Sequence, residues 1–91
     1  MAINWSNKGL GDVARLYEFL KPVNQAAAAR VVQKLTHAPK RLLDHPRLGT
    51  QLDEFEGREV RRLLIGDYEM RYEILAGNIY ILRVWHVREN R

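Results

Sequence analysis

The stretch Val60-Arg-Arg-Leu-Leu-Ile-Gly-Asp-Tyr-Glu-Met-Arg-Tyr-Glu-Ile-Leu-Ala-Gly-Asn-Ile-Tyr-Ile-Leu-Arg-Val-Trp-His-Val87 sets the fold. Val60 to Ile65 reads as a strand. Gly66-Asp67 is a two-residue turn with Gly first, which suits type II′. Tyr68 to Leu75 alternates, with Tyr68, Met70, Tyr72 and Ile74 on one side and Glu69, Arg71 and Glu73 on the other. Ala76-Gly77-Asn78 turns the chain again. Ile79 to Val87 is apolar on both faces at first, as in a central strand.

The two turns set a register. A two-residue loop at 66–67 pairs Arg62 with Arg71, and a three-residue loop at 76–78 pairs Arg71 with Arg83. One face then carries Tyr68, Met70, Tyr72, Ile74, Tyr80, Leu82, Val84 and His86. The other carries Arg62, Leu64, Glu69, Arg71, Glu73, Ile81, Arg83 and Trp85. Three arginines lie side by side across three strands. Like charges directly opposite are unfavourable in a sheet. Glu69 and Glu73 on the diagonals, or an anionic ligand, must compensate. Two readings stand: a solvated Arg/Glu ladder, or a concave basic surface with Trp85 and Ile81 as apolar contacts.

Upstream the period changes from two to three and four. Residues 2–5 alternate as a short strand. Ser6 sits where an N-cap belongs. Leu10, Val13, Tyr17 and Leu20, with Ala14 beside them, make an apolar stripe on a helix over 7–20. Lys21-Pro22 stops it. Asn24 caps a second helix, whose Ala26–Ala29 run favours the conformation. Ala27, Val31, Leu35, Ala38 and Leu42 form its buried stripe. Pro39 predicts a kink or break, the pattern resumes through Leu43, and His45-Pro46 ends it. Residues 46–57 read as irregular, with Gly49, Gly57, Asp53, Glu54 and Glu56. The order β-α-α-β-β-β predicts an α+β fold, with an N-terminal α-hairpin packed on a small twisted antiparallel sheet.

Composition bounds the function. Ninety-one residues make one domain, 1–91, with one small core. A 46% hydrophobic and 29% charged composition is that of a globular chain. No apolar run approaches the roughly 18 residues of a membrane span. Lys8, Asp12, Arg15 and Glu18 leave no signal-peptide core in the first twenty residues. The absence of cysteine excludes disulfides, cysteine nucleophiles and thiolate metal sites, and fits the cytoplasm. Residues 1–45 hold seven Lys+Arg against three Asp+Glu, whereas 46–91 hold eight of each. A pI near 9.8 points to an acidic partner (nucleic acid, ribosome or acidic protein) or to solubility alone.

Few residues carry recognisable chemistry. His86 reads as a general base or as a hydrogen-bonded structural residue. His37, His45 and His86 are on different elements, with no carboxylate at a ligand spacing, so no metal site is expected. Ser6 is better explained as a cap than as a nucleophile. Gly9 and Gly11 precede no strand-to-helix turn of a phosphate-binding kind.

The chain resembles the RelE/ParE-type toxins of bacterial type II toxin–antitoxin systems. The resemblance is carried by Ile3-Asn4-Trp5-Ser6, Asp12 and the helical stripe, and Leu43-x-His-Pro-x-x-Gly49. It continues through Arg62-Leu-Leu-x-x-x-Tyr68, Met70-Arg-Tyr72 and the closing Ile81-Leu-Arg-Val-Trp-His86. It implies two N-terminal helices against an antiparallel sheet, no cofactor, and a hetero-oligomer with a cognate antitoxin. That antitoxin would have an acidic toxin-binding segment and carry the DNA-binding domain. It also implies a role such as plasmid stabilisation. RelE-type members cut mRNA in the ribosomal A site without a metal. ParE-type members inhibit DNA gyrase and are not known as nucleases.

Departures from the nuclease type bring the chain closer to ParE. Glu69 follows Tyr68 where the nuclease commonly has a basic residue. The tail His86-Val-Arg88-Glu-Asn-Arg91 lacks a tyrosine, and the last lysine is Lys40. The expectation is therefore a gyrase inhibitor that acts by binding through Arg62, Arg71, Arg83, Trp85 and Arg88, with no catalytic residue. The alternatives are a ribosome-dependent endoribonuclease using Arg62, Arg71, Arg83 and His86, and a non-toxic partner-binding module. Leu16, Phe19 and Leu20 are the antitoxin-facing candidates, each open to being core instead.

Overall fold

Ser6 and Asn24 cap the two helices that the sequence predicts. The Ser6 hydroxyl accepts from the Gly9 amide at 2.9 Å and opens α1 (Asn7–Leu20). The Asn24 side chain accepts from the Ala27 amide at 2.9 Å and opens α2 (Gln25–His37). Each cap satisfies a donor that a helix start leaves orphaned. Pro39 breaks the second helix as expected, since proline removes an amide from the ladder. A 3-10 turn over Ala38–Lys40 follows, then a single turn, α3 (Arg41–Asp44). The computed structural model describes residues 1–89. Asn90 and Arg91, the end of the expected 1–91 domain and of the tail singled out above, lie outside the described residues.

Five strands form one sheet in the order β1-β5-β4-β3-β2: β1 (Ile3–Trp5), β2 (Thr50–Gln51), β3 (Glu59–Ile65), β4 (Tyr68–Leu75) and β5 (Asn78–His86). The fold is α+β with the β-α-α-β-β-β order, to which the single-turn α3 and the two-residue β2 are added. Two details depart from the sequence reading. β1 runs parallel to β5, not antiparallel. The 46–57 segment contains β2, which pairs Thr50 with Arg62 and Gln51 with Arg61. Two residues are too few for an alternation signal.

The first hairpin is as expected. Gly66 takes φ +59, Ile65 pairs with Tyr68, and Arg62 lies opposite Arg71. The second is not. Leu75 pairs with Asn78, so the loop is only Ala76 and Gly77, at φ 52 and 77. Positive φ at both positions is the sign pattern of a type I′ turn. The β4–β5 register then shifts between Arg71 and Tyr72, so that Tyr72 faces Ile81 and Arg71 faces Arg83. Leu82 is the extra residue of a bulge. The two departures cancel at Arg71–Arg83 but exchange the faces before it. Ile79 and Ile81 are fully buried in the core, whereas Tyr80 and Leu82, expected on the same face as Met70 and Tyr72, are only partly buried.

α1 is rotated from its expected stripe. It buries Gly9, Asp12, Val13 and Leu16, leaving Leu10 exposed and Tyr17 and Leu20 half-buried. Close approach to β5 decides this. A Cβ on residue 9 would come within 2.9 Å of the Ile81 carbonyl oxygen, so glycine alone lets the helix lie there. On α2, Ala28 and Leu35 are the buried positions, with Ala27 and Val31 partly covered. With Ala38 and Leu42 they pack toward Leu63, Ile65, Met70, Tyr72 and Val84. The Tyr72 hydroxyl donates to the Pro46 carbonyl at 2.7 Å and accepts from the Gly49 amide at 2.9 Å, tying the segment before β2 onto the sheet.

Ala76 is the only non-glycine residue with positive φ among those described, a conformation that costs an L-residue energy. Ala76→Gly is expected to raise the unfolding free energy by about 1 kcal/mol. The check is a higher urea midpoint at unchanged m-value.

Candidate functional site

β1 covers the edge of β5 only as far as Ile81. Beyond it the edge would show bare amides and carbonyls, which cost energy when shielded from water. Side chains take the place of a strand. The Ser6 hydroxyl donates to the Leu82 carbonyl at 2.9 Å, and the Asp12 carboxylate accepts from the Val84 amide at 2.9 Å. Arg15 donates to the Val84 carbonyl at 3.4 Å, and Glu89 accepts from the His86 amide at 2.9 Å. Arg15 also pairs with Glu89 at 2.8 Å.

Asp12 does more than cover the edge. It is 5% exposed, and it receives the Arg83 guanidinium through Nε at 2.7 Å and Nη2 at 3.1 Å. Burial pushes its carboxyl up. The Arg83 and Val84 hydrogen bonds, with the charges of Arg83 and Arg15, outweigh that and hold it below the usual value. Arg83 is thus anchored rather than free.

Arg62, Arg71 and Arg83 stand in register across β3, β4 and β5, as the sequence implied. Their surroundings differ. Arg62 is the most exposed and has only a loose 3.7 Å approach to Glu69. Arg71 contacts Glu69 at 3.2 Å, and its guanidinium lies 4.8 Å from the Trp85 ring centroid and 5.8 Å from that of Phe55. Glu73 does not serve this row. It pairs with Arg58 through two 2.9 Å hydrogen bonds, chiefly the cause that lowers its carboxyl. Trp85, expected as an apolar contact of this face, is 9% exposed and lies against the Arg71 guanidinium, whereas Ile81, expected beside it, belongs to the core. Phe55 belongs to the segment leading into β3, and it lines the same groove as Trp85. This open groove of about 870 Å³ also has Lys8, Arg58, Arg71 and Arg83 in its walls.

A second groove, of about 440 Å³, lies on the helix side. Leu16, Phe19, Leu20, Tyr68, His86 and Arg88 line it. Phe19 is 76% exposed, Leu20 is half-buried, and Leu16 is core, 3% exposed. His86 meets Tyr68 edge-on with ring centroids 5.2 Å apart, and burial raises the Tyr68 phenol. The His86 Nδ1 accepts from the Arg88 amide at 3.1 Å, so the neutral ring carries its proton on Nε2.

The two grooves separate residues that the sequence reading had grouped. Along β5, Arg83 and Trp85 point to one side of the sheet and Val84 and His86 to the other. His86 is therefore not brought to the arginine row of the nuclease alternative, and Arg88 is not brought to the row of the target-binding set. Sequence reasoning gave no role to Lys8, Asp12, Arg15, Phe55, Arg58 or Glu89. One signal was available: Asp12 sits four residues before Leu16 and next to Val13, a charge inside an apolar stripe. Among the described residues no cluster of three or more metal-ligating side chains forms, and no helix is long and apolar enough to cross a membrane.

The architecture is the RelE/ParE-like fold. It superposes with TM-score 0.79 on a chain of the chromosomal ParDE toxin–antitoxin system from P. aeruginosa, at 22% identity over 94% of this chain and 95% of that one. A chain of the intact E. coli RelBE toxin–antitoxin complex matches with TM-score 0.56 and 14% identity, over 98% and 96%. No curated protein sequence matches. The family model for the ParE toxin of type II toxin–antitoxin systems, parDE, matches residues 3–91. The chain belongs to that family.

Asp12, Glu59 and Glu73 all have lowered carboxyl values, Glu59 chiefly through its hydrogen bond to Arg61. Their contribution to stability is complete above the unfolded carboxylate value, about 4, and is lost as pH falls through the lower folded values. The melting temperature is expected to be flat from neutral pH to about pH 5 and to drop below about pH 4. Asp12→Ala leaves Arg83 and the Val84 amide unpaired. It is expected to cost about 3 kcal/mol and to flatten the acid limb, as read by thermal melts at pH 3, 5 and 7.

Proposed function

We propose that this ParE-family chain is a toxin that inhibits DNA gyrase by binding, acts in the cytoplasm, and is neutralised by a cognate antitoxin. The observation that carries the binding reading is the division of the site. Arg71 and Arg83 of the row face one groove with their guanidiniums held by Glu69 and Asp12, and the one histidine of β5 faces the other. An acid–base group set beside the row would favour phosphodiester cleavage. Here the row is braced by carboxylates, a scaffold for contacts.

Antitoxin partnership is supported by the structural neighbours, both toxin–antitoxin assemblies. The helix-side groove is the docking place in this proposal. Phe19 and Leu20 give an apolar wall beside the core residue Leu16, and on the rim, where Glu89 already pairs with Arg15, Arg88 is the charge that matches an acidic helical segment. Target contact belongs to the opposite side, through Arg62, Arg71 and Arg83 around Trp85.

A supercoiling assay with purified gyrase tests the function. Rising toxin should inhibit supercoiling and accumulate cleaved DNA, with reversal by the antitoxin. Unaltered gyrase at saturating toxin would sink the proposal. Phe19→Glu should weaken antitoxin affinity by about tenfold or more while gyrase inhibition is unchanged. Isothermal titration and the same supercoiling assay read the two effects.

A further inference from the structure

We infer that the groove lined by Lys8, Arg58, Arg71 and Arg83 binds an extended acidic peptide segment of the target protein. Assigning that segment to the target rests on the gyrase reading above; the chemistry of the groove does not.

Three guanidiniums line this groove, and each is held by a carboxylate. Asp12 holds Arg83 at 2.7 and 3.1 Å, Glu73 holds Arg58 at 2.9 Å twice, and Glu69 holds Arg71 at 3.2 Å. Those three carboxylates are the buried charged residues of the chain among those described. A guanidinium has five N–H donors. Arg58 and Arg83 each use Nε and Nη2 on their carboxylate, and Arg71 uses Nε. The Nη1 donors of all three have no hydrogen-bond partner among the described residues. They are therefore donors held in place before any ligand arrives, which lowers the ordering cost of binding. Lys8 makes no ion pair among the described residues, and no carboxylate lines the groove.

The pairing also selects the ligand. A nucleic-acid strand needs dense net positive charge and aromatic faces for its bases. Here three of four cations are already neutralised, leaving Lys8 as the net charge. Arg71 lies over the faces of both Trp85 and Phe55, and Arg58 lies 5.6 Å from Phe55. Widely spaced carboxylates, each taking a guanidinium fork, with an apolar side chain beside Leu82 and Phe55, fit what remains. The groove is on the far side of the sheet from Phe19, so an antitoxin helix and this peptide do not compete for the same residues.

The test follows arginine Nε–H and tryptophan indole N–H signals of the ¹⁵N-labelled full chain. It is titrated with a hexaglutamate peptide and, separately, with a ten-nucleotide thymidine oligomer. Hexaglutamate is expected to move the Arg58, Arg71, Arg83 and Trp85 signals, with Trp5 unmoved. Lys8→Glu, an exposed change, is expected to weaken that binding about tenfold at unchanged melting temperature. Tighter binding by the oligomer, movement confined to the His86 side, or no movement with either probe overturns the inference. Lys8→Glu is then carried into the supercoiling assay. Wild-type inhibition matched by the variant removes the groove from target binding while the gyrase reading stands. Wild-type failure there removes the gyrase reading and leaves the peptide result to decide the groove.

Discussion

The hydrogen bonds of one carboxylate organise this structure. Asp12 closes the edge of β5 where β1 ends, takes the Val84 amide, and holds Arg83 by both sides of its fork. Burying a charge costs several kcal/mol unless it is paired and hydrogen-bonded, and Asp12 is both. The arrangement fixes the rotation of α1, because only the side bearing Gly9, Asp12, Val13 and Leu16 reaches the strand. That rotation in turn leaves Phe19 facing outward.

The same device recurs on charges elsewhere. Glu59 lies between Arg47 and Arg61, Glu69 between Arg62 and Arg71, and Asp12 between Arg15 and Arg83. Three aligned arginines would repel across neighbouring strands. Interposed carboxylates relieve the repulsion and immobilise long side chains that would otherwise cost entropy to order. The face that results is rich in fixed donors and modest in net charge, a different surface from the one composition alone suggests.

The sequence disclosed the fold through three independent signals: caps at Ser6 and Asn24, the Pro39 break, and alternation in β4. It disclosed the Arg62–Arg71–Arg83 row as well, partly by cancellation. A loop read one residue too long offset an unseen bulge at Leu82. Bulges leave no periodic trace when both faces of a strand are apolar, as in Ile79–Leu82. Glu69 was legible as a local partner of the row, but the fates of Arg83 and Arg58 were not, because their partners come from far away in the chain. Arg83 meets a residue 71 positions earlier, and Arg58 one 15 positions later. The rotation of α1 was hidden for a related reason. Leu10, Tyr17 and Leu20 outweigh Gly9 and Asp12 on any hydrophobicity scale, and only the nearness of a backbone edge reverses that order.

The connectivity places β5, the last strand of the sheet in chain order, between β4 and β1. The first strand of the sheet waits for this late partner, as Ile3 pairs with Ile79 and the Ser6 amide donates to the Ile81 carbonyl. During synthesis the two helices leave the ribosome with their apolar side uncovered, and neither β1 nor Asp12 has anything to bind. Contacts of such sequence separation form late and slowly. Both grooves take residues from β5, so neither exists on a nascent chain. A partner that recognises either groove therefore meets only the finished fold.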